Sequence, residues 1–287
     1  MRESIPVRVL SYVFLVIAVV VSIYPIYWIY VASTLSDGQI FHFPPANWFG
    51  GHLLQNVRML ESTMPVWRDL ANSIVVSGIT TISVVFFSAM VGFAFAKYRF
   101  WAKSFLFFVV LITIMIPMQT TLIPLFIIVT KLHWENTYQG LIVPFLVNGF
   151  GVFFMRQQMQ SFPSELLEAS RIDGASEFYT FFRIVMPNMV PSMAALGILT
   201  FLQQWGNFIW PLIVINSRNM STVPLMLEQL DQPGNVIHYG PIFAGAAIGL
   251  VPLMIVFVAL QRYFISGMYS GSVKGSDDPP FARMEVM

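Results

Sequence analysis

Six stretches, at about Val9–Ala32, Leu70–Ala96, Ser104–Thr130, Asn136–Met155, Pro191–Ile215 and Gly240–Gln261, each run for some twenty residues or more without one charged side chain. A helix needs about twenty apolar residues to cross the hydrocarbon of a bilayer. Inside lipid the backbone must satisfy its own polar groups, so each stretch reads as a helix rather than an open strand. The rest of the composition agrees. Hydrophobic residues make up 56% and charged residues only 10%, with a mean hydropathy of +0.71, too little charge to cover a soluble domain of 287 residues. The expectation is an all-α membrane protein with six transmembrane helices. Prolines inside the stretches (Pro25, Pro117, Pro124, Pro144, Pro211 and Pro252) predict kinks or broken helices.

Six crossings put both termini on one side, and the basic residues choose which. With the N-terminus inside, the inner segments hold Arg2, Arg8, Lys97, Arg99, Lys103, Arg156, Arg171, Arg183, Arg262, Lys274 and Arg283, and the outer ones only Arg58, Arg68, Lys131 and Arg218. The positive-inside rule therefore predicts cytoplasmic N- and C-termini. Arg2 and Arg8 precede an apolar run that is too long for a cleaved signal and lacks a small-residue cleavage site, so it reads as the first membrane helix. A formal charge of +1 offers no attraction to nucleic acid, and the absence of cysteine removes disulfides and thiol chemistry.

The longest outer loop, about 33–69, contains Pro44-Pro45, Trp48 and Gly50-Gly51 and reads as an ordered element at the membrane interface. His42 and His52 lie there without the carboxylates or spacing of a metal site, so no metal is expected. No G-x-x-x-x-G-K-[ST] loop is present, so ATP would have to be bound by another subunit; no cofactor is expected in this chain. No ionisable residue falls within a stretch, which weighs against an ion-coupled secondary carrier, and no catalytic constellation suggests an enzyme. The uncharged polar residues are the candidates for a translocation path: Gln119, beside Thr120 and Thr121 after Pro117, and Gln203, Gln204 and Asn207 near Trp205. Amides in hydrocarbon need hydrogen-bond partners, so these face either neighbouring helices as interhelical glue or a wet pore whose amides and indoles suit sugar hydroxyls and faces. Gly245 and Gly249 form a G-x-x-x-G suited to close helix packing.

One polar interruption remains, Phe162 to Pro187, holding Glu165, Glu168, Asp173, Glu177, Arg171 and Arg183. It reads as two short helices. Pro163 and Ser164 start the first, Gly174 ends it in a left-handed conformation, and Ser176 caps the second, which is expected to stop near Met186 because Pro187 has no N–H. Leu166, Ala169, Ser170 and Asp173 share one face of the first helix, small enough for another backbone to approach. Such a pair also fits an ordinary cytoplasmic loop packed on its own protein.

Glu168-Ala169-Ser170, three residues, Gly174, nine residues and Ile184-Val185-Met186-Pro187 resemble the EAA coupling motif of ABC importer permeases, which reads EAA, three residues, G, nine residues, I-x-L-P. Ser170 stands for the second alanine and Met186 for leucine. The phrase Arg171 to Ala175 resembles the carbohydrate, maltose-type branch, and Trp205 to Leu212 its fifth-helix phrase, although Gly206 occupies the usual asparagine position. The tail from Gln261 to Gly275 resembles the second permease subunit of the maltose-type pair, with an extension to residue 287.

This resemblance covers roughly Leu70 to Gly275. It implies a type I ABC importer permease of a bacterial or archaeal cytoplasmic (inner) membrane, moving a carbohydrate, oligosaccharide or related polyol by alternating access. It implies a homologous second permease subunit, two cytoplasmic ATPase subunits and an extracytoplasmic solute-binding protein, with membrane lipid around the spans. Glu168, Ala169, Ser170, Asp173, Gly174, Ile184 and Pro187 would then carry ATPase coupling. The implied organisation is a first helix and outer loop over 1–69, a five-helix permease core over 70–265 with the coupling loop 162–187, and a cytoplasmic tail over 266–287. A gradient-driven carrier and a membrane scaffold that binds a partner through the same loop are the rival readings.

Overall fold

The computed structural model describes residues 5–231 and 237–272. In chain order its helices are α1 (Ile5–Ala32), α2 (Asp37–Ile40), α3 (Leu53–Thr63), α4 (Val66–Lys97), α5 (Lys103–Met115), α6 (Met118–Lys131), α7 (Tyr138–Ile142), α8 (Gly149–Gln160), α9 (Ser164–Ile172), α10 (Glu177–Thr180), α11 (Met186–Asn188), α12 (Val190–Trp205), α13 (Ile209–Val214), α14 (Val223–Leu230) and α15 (Tyr239–Ser272). Short tight turns lie at Val143–Phe145 and Arg218–Met220, a π-helical turn lies at Phe181–Val185, and no strand occurs among the described residues.

Two compact units divide the chain: Met1–Ser73 with Ile215–Pro252, and Ile74–Val214 with Leu253–Met287. In the first, Val31, Ala32, Leu35 and Ile40 form one apolar cluster, and Leu60, Met64, Val66 and Met226 another. Polar side chains lock the connections. Asp37 accepts a hydrogen bond from the Gly240 amide at 2.9 Å and pairs with His238 Nδ1 at 3.0 Å, tying α2 to the start of α15. Asn72 donates to the carbonyls of Asn219 and Ser221, and the Ser73 hydroxyl accepts from the Val223 amide at 2.8 Å. Gly245 and Gly249 let α15 lie against side chains of α14: a Cβ at Gly249 would come within 2.7 Å of Val223 Cγ1. In the segment 33–69 the aromatics Phe41, Phe43, Trp48 and Phe49 are exposed, and the Tyr27 hydroxyl donates to the Asn47 carbonyl at 2.6 Å.

Three helical segments are long and apolar enough to cross a membrane alone, Val7–Ala32, Val66–Lys97 and Tyr239–Tyr263. The third, fourth and fifth expected spans are not single helices. α5 and α6 meet at 101°, with Pro117 at the corner; the Tyr138–Phe145 segment and α8 meet at 41°, and the Glu177–Asn188 segment meets α12 at 75°. The expected fifth span is also interrupted after Trp205, and α13 restarts at Ile209. By contrast, α1, α6 and α15 continue through Pro25, Pro124 and Pro252. A second correction concerns the start of α4. It begins at Val66, so Asp69, expected in the outer loop, lies in its first turn and is fully buried. A carboxylate there faces the positive end of the helix dipole.

Within the second unit the core consists of Ala89, Phe93, Met155, Met159, Phe162, Leu167, Phe181, Val185 and Leu196. Five of these come from α4, α8 and α12; the other four, Phe162, Leu167, Phe181 and Val185, belong to the polar interruption. That loop is rooted in the core.

Candidate functional site

The 162–187 loop begins with α9, whose first turn carries Glu165 and whose last turn carries Arg171, both matched to the helix dipole. Its end follows from hydrogen-bond geometry. The Gly174 amide donates to the Arg171 carbonyl and the Ala175 amide to the Ser170 carbonyl, each at 3.0 Å. This pair of reverse bonds is the Schellman arrangement, which needs a left-handed residue at the first position past the helix. Gly174 has φ +78° and open space where a side chain would stand. Backbone strain rather than crowding therefore makes glycine the natural residue there. Ser176 then caps α10, its hydroxyl accepting from the Tyr179 amide at 3.2 Å.

The second helix runs past the expected stop at Met186. α10 passes into the π-helical turn Phe181–Val185, and α11 continues to Asn188 with Pro187 in its first turn. A first-turn position has no use for the N–H that proline lacks. The wider turn resets the helix so that Pro187 falls where it does no harm.

Several contacts fix the loop to its surroundings. Buried Leu167 and Phe181 insert into the core from α9 and the π turn. The buried Ser170 and Thr180 hydroxyls hydrogen-bond at 2.7 Å, joining α9 to α10. Lys97, the last residue of α4, donates to the carbonyls of Phe162 at 2.5 Å and Gln160 at 3.3 Å. Glu177 accepts from the Tyr98 hydroxyl and from Arg171 Nε, the latter at 2.9 Å. Burial and then the bond to Glu177 push the Tyr98 hydroxyl up to about 12, so it keeps its proton and donates at any cellular pH.

The loop residues singled out in the sequence divide by direction. Glu168, Ala169, Asp173, Gly174 and Pro187 are exposed, and Ile184 is half-buried against the core. Leu166, Ala169, Asp173, Gly174, Tyr179 and Ile184 line an open concavity of about 720 Å³ with buried Ser170 at its margin. Ser170 belongs to the internal joint rather than the exposed face. The sequence left Lys97, Tyr98 and Thr180 without a role in the loop; the signal was their position, Lys97 closing a 32-residue apolar helix, Tyr98 just past its end and Thr180 inside the loop itself.

The translocation-path candidates are more scattered. Gln119 is the second residue of α6, just past the corner at Pro117, and is exposed; Thr120 and Thr121 donate back to the carbonyls of Pro117 and Met118. Gln203 is exposed and Gln204 half-buried in the last turn of α12. Asn207 sits in the break after α12, where its side-chain oxygen accepts from the Trp210 amide at 3.4 Å and caps α13. Trp205, whose indole could have offered a sugar face, is buried and stacked on Phe201 at 5.5 Å.

Long apolar helices and bent helix pairs, joined to a tightly capped polar loop rooted in the core, fit a membrane permease. Residues 85–269 match the family described as binding-protein-dependent transport system inner membrane component. The chain belongs to that family of ABC importer permeases, and membership does not favour the ion-coupled carrier. It is 43% identical over 210 residues to the arabinooligosaccharides transport system permease protein AraQ of Halalkalibacterium halodurans, covering 73% of this chain and 75% of the relative. It is 30% identical to the lactose transport system permease protein LacG of Rhizobium radiobacter, over 96% of this chain and 98% of the relative. The sn-glycerol-3-phosphate transport system permease protein UgpE of Salmonella typhi is 29% identical, over 91% and 95%. In fold the chain resembles a chain of a bacterial ABC transporter involved in import of the acidic polysaccharide alginate, with TM-score 0.79 and 19% identity over 92% of this chain and 99% of that one.

Proposed function

We propose that this chain is the permease subunit of a binding-protein-dependent ABC importer for a neutral oligosaccharide, and that the 162–187 loop receives its motion from a cytoplasmic ATPase. The observation that carries the reading is the loop itself: a family motif built as two capped helices anchored in the permease core. Anchoring matters because a loose loop would absorb a push, whereas one packed against α4, α8 and α12 passes it to the membrane segments. Glu168, Ala169 and Asp173 offer the exposed face to the ATPase groove, Gly174 sets the angle between the helices, and Ile184 and Pro187 join the loop to α12. Ser170 holds the two helices together.

In this reading α5 with α6, the Tyr138–Phe145 segment with α8, and α12 with α13 are each one crossing, giving six spans with both termini in the cytoplasm of a bacterial cell. Residues 1–69 form the first span and outer loop, and 70–265 the permease core. The tail over 266–287 reaches the cytoplasmic side; its part beyond Ser272 lies outside the described residues. A second, homologous permease, two ATPase subunits and a solute-binding protein complete the transporter. ATP is bound by the ATPase subunits, and this chain works without cofactor or metal. Gln119, Gln203, Gln204 and Asn207 border the sugar path beside breaks in the helices, where backbone and amide groups are wet. The arabinooligosaccharide and lactose relatives favour a neutral saccharide over a glycerol phosphate, as does the absence of a basic pair within the spans.

Affinity purification in mild detergent, with co-eluting proteins identified by mass, tests the assembly. A P-loop ATPase and a second multi-span permease are the expected companions. A folded chain that elutes alone would contradict the assembly.

A further inference from the structure

The connection between α4 and α5 carries Arg99, Phe100 and Trp101, Ala102 turns it with φ 61°, and Lys103 opens α5. Trp101 is 94% exposed and stands clear of the core beside exposed Arg99, while Phe100, 40% exposed, rests on Phe95 with ring centroids 5.7 Å apart. Arg156 reaches the same place from α8, its guanidinium 3.9 Å above the ring of Phe107 on α5. Both Arg99 and Arg156 lie within electrostatic reach of Lys103, whose ammonium donates to the Tyr98 carbonyl at 2.8 Å. Among the described residues the two ion pairs lie elsewhere, at Arg171–Glu177 and His238–Asp37, so no carboxylate neutralises this cluster. The Nε of Arg156 is buried without a hydrogen-bond partner. Three residues along α5 from Lys103 and close to its face, Leu106 is exposed, and Phe105, Phe108 and Val109 continue the exposed apolar surface around the helix. Arg156 stands over Phe107, one turn along α5 from Lys103, and neighbouring cations without a carboxylate draw an anion; the aromatic and aliphatic surroundings call for one that carries an apolar body.

We propose that Arg99, Lys103 and Arg156 form a binding site for the phosphate headgroup of an anionic phospholipid, with Trp101 seated at the inner membrane interface beside it. Charge complementarity selects the headgroup, tryptophan prefers the headgroup level of a bilayer, and the exposed face of α5 receives the acyl chains. The site lies on the same connection as Tyr98, which holds Glu177 of the coupling loop, so a bound lipid stiffens the root of that loop. The inference rests on the proposed orientation of the chain in the membrane.

The test uses the assembled transporter in lipid nanodiscs and quenching of tryptophan fluorescence by brominated phosphatidylglycerol or brominated phosphatidylcholine. The Trp101 contribution is isolated by difference with Trp101→Phe. Expected is stronger quenching by the anionic phosphatidylglycerol, about fivefold weaker apparent binding of it in Arg99→Gln, and further weakening in high salt. Arg99 is exposed, so this variant should fold; Lys103→Gln repeats the measurement from a second cation. Equal quenching by both lipids, or an unchanged response in both variants, overturns the site. Displacement of the brominated lipid by millimolar inorganic phosphate would assign the cluster to free phosphate instead, and capture of the ATPase by a photocrosslinker at position 101 would assign it to protein; either outcome overturns the proposal. Quenching of the remaining tryptophans reports membrane embedding separately, so loss of the lipid site and failure of the transporter reading are distinguishable.

Discussion

Gly174 shows how a single backbone angle sets the geometry of the candidate site. Its φ of +78° places it in the left-handed region with nothing nearby to clash, so substitution tests conformation alone. A side chain there costs roughly 1–2 kcal/mol in general, less for asparagine and more for a β-branched residue. Gly174→Asn is expected to keep most of the transport obtained per ATP hydrolysed, whereas Gly174→Val keeps assembly but loses much of that ratio. The measurement is ATPase rate beside substrate uptake in the same vesicles; equal coupling in both variants would remove Gly174 from the mechanism. This residue was readable in the sequence because glycine punctuates a helix end wherever it falls. Ser170 was not. Its spacing put it on a face with Leu166, Ala169 and Asp173, but periodicity does not say which of two weakly apolar faces turns inward, and here Leu167 and Ser170 do.

At the scale of elements, α9 and α10 hold their place through core side chains rather than their own helical propensity, since segments of four and nine residues are marginal alone. Phe181, 4% exposed between Phe93 and Phe182, is the main anchor. Phe181→Ala should cost about 3–5 kcal/mol of local stability, seen as faster amide hydrogen exchange over residues 164–180 with exchange in α4 little changed. Protection unchanged in the loop would mean that other contacts fix it. The corner between α5 and α6 was legible from Pro117. The break after Trp205 was harder to read, because an apolar run interrupted only by Gly206 and Asn207 has the length and composition of one span. The π turn had no signal at all, since apolar periodicity changes little over five residues. Proline chemistry predicted an end at Met186, and the wider turn just ahead of Pro187 is what lets the helix continue.

Across the whole molecule, the apolar surface describes the environment better than the helix count does. The first candidate crossing, Val7–Ala32, has no buried residue in its most apolar stretch, and large aliphatic side chains along α4 and α15 are likewise exposed. Such a surface is stable only against lipid or against another membrane subunit. Composition alone made this environment legible, and the motif spacing made the family legible. Substrate choice was not, because amides such as Gln203 and Asn207 serve sugars and helix breaks equally well. In the proposed mechanism, motion from ATP hydrolysis enters through the 162–187 loop and moves a saccharide. The most direct measurement is uptake of a labelled arabinooligosaccharide into proteoliposomes holding the purified transporter, its binding protein and internal ATP. Uptake that requires ATP and the binding protein, and that falls in Gly174→Val while hydrolysis persists, is the predicted result. Uptake driven by a proton or sodium gradient without ATP would contradict it.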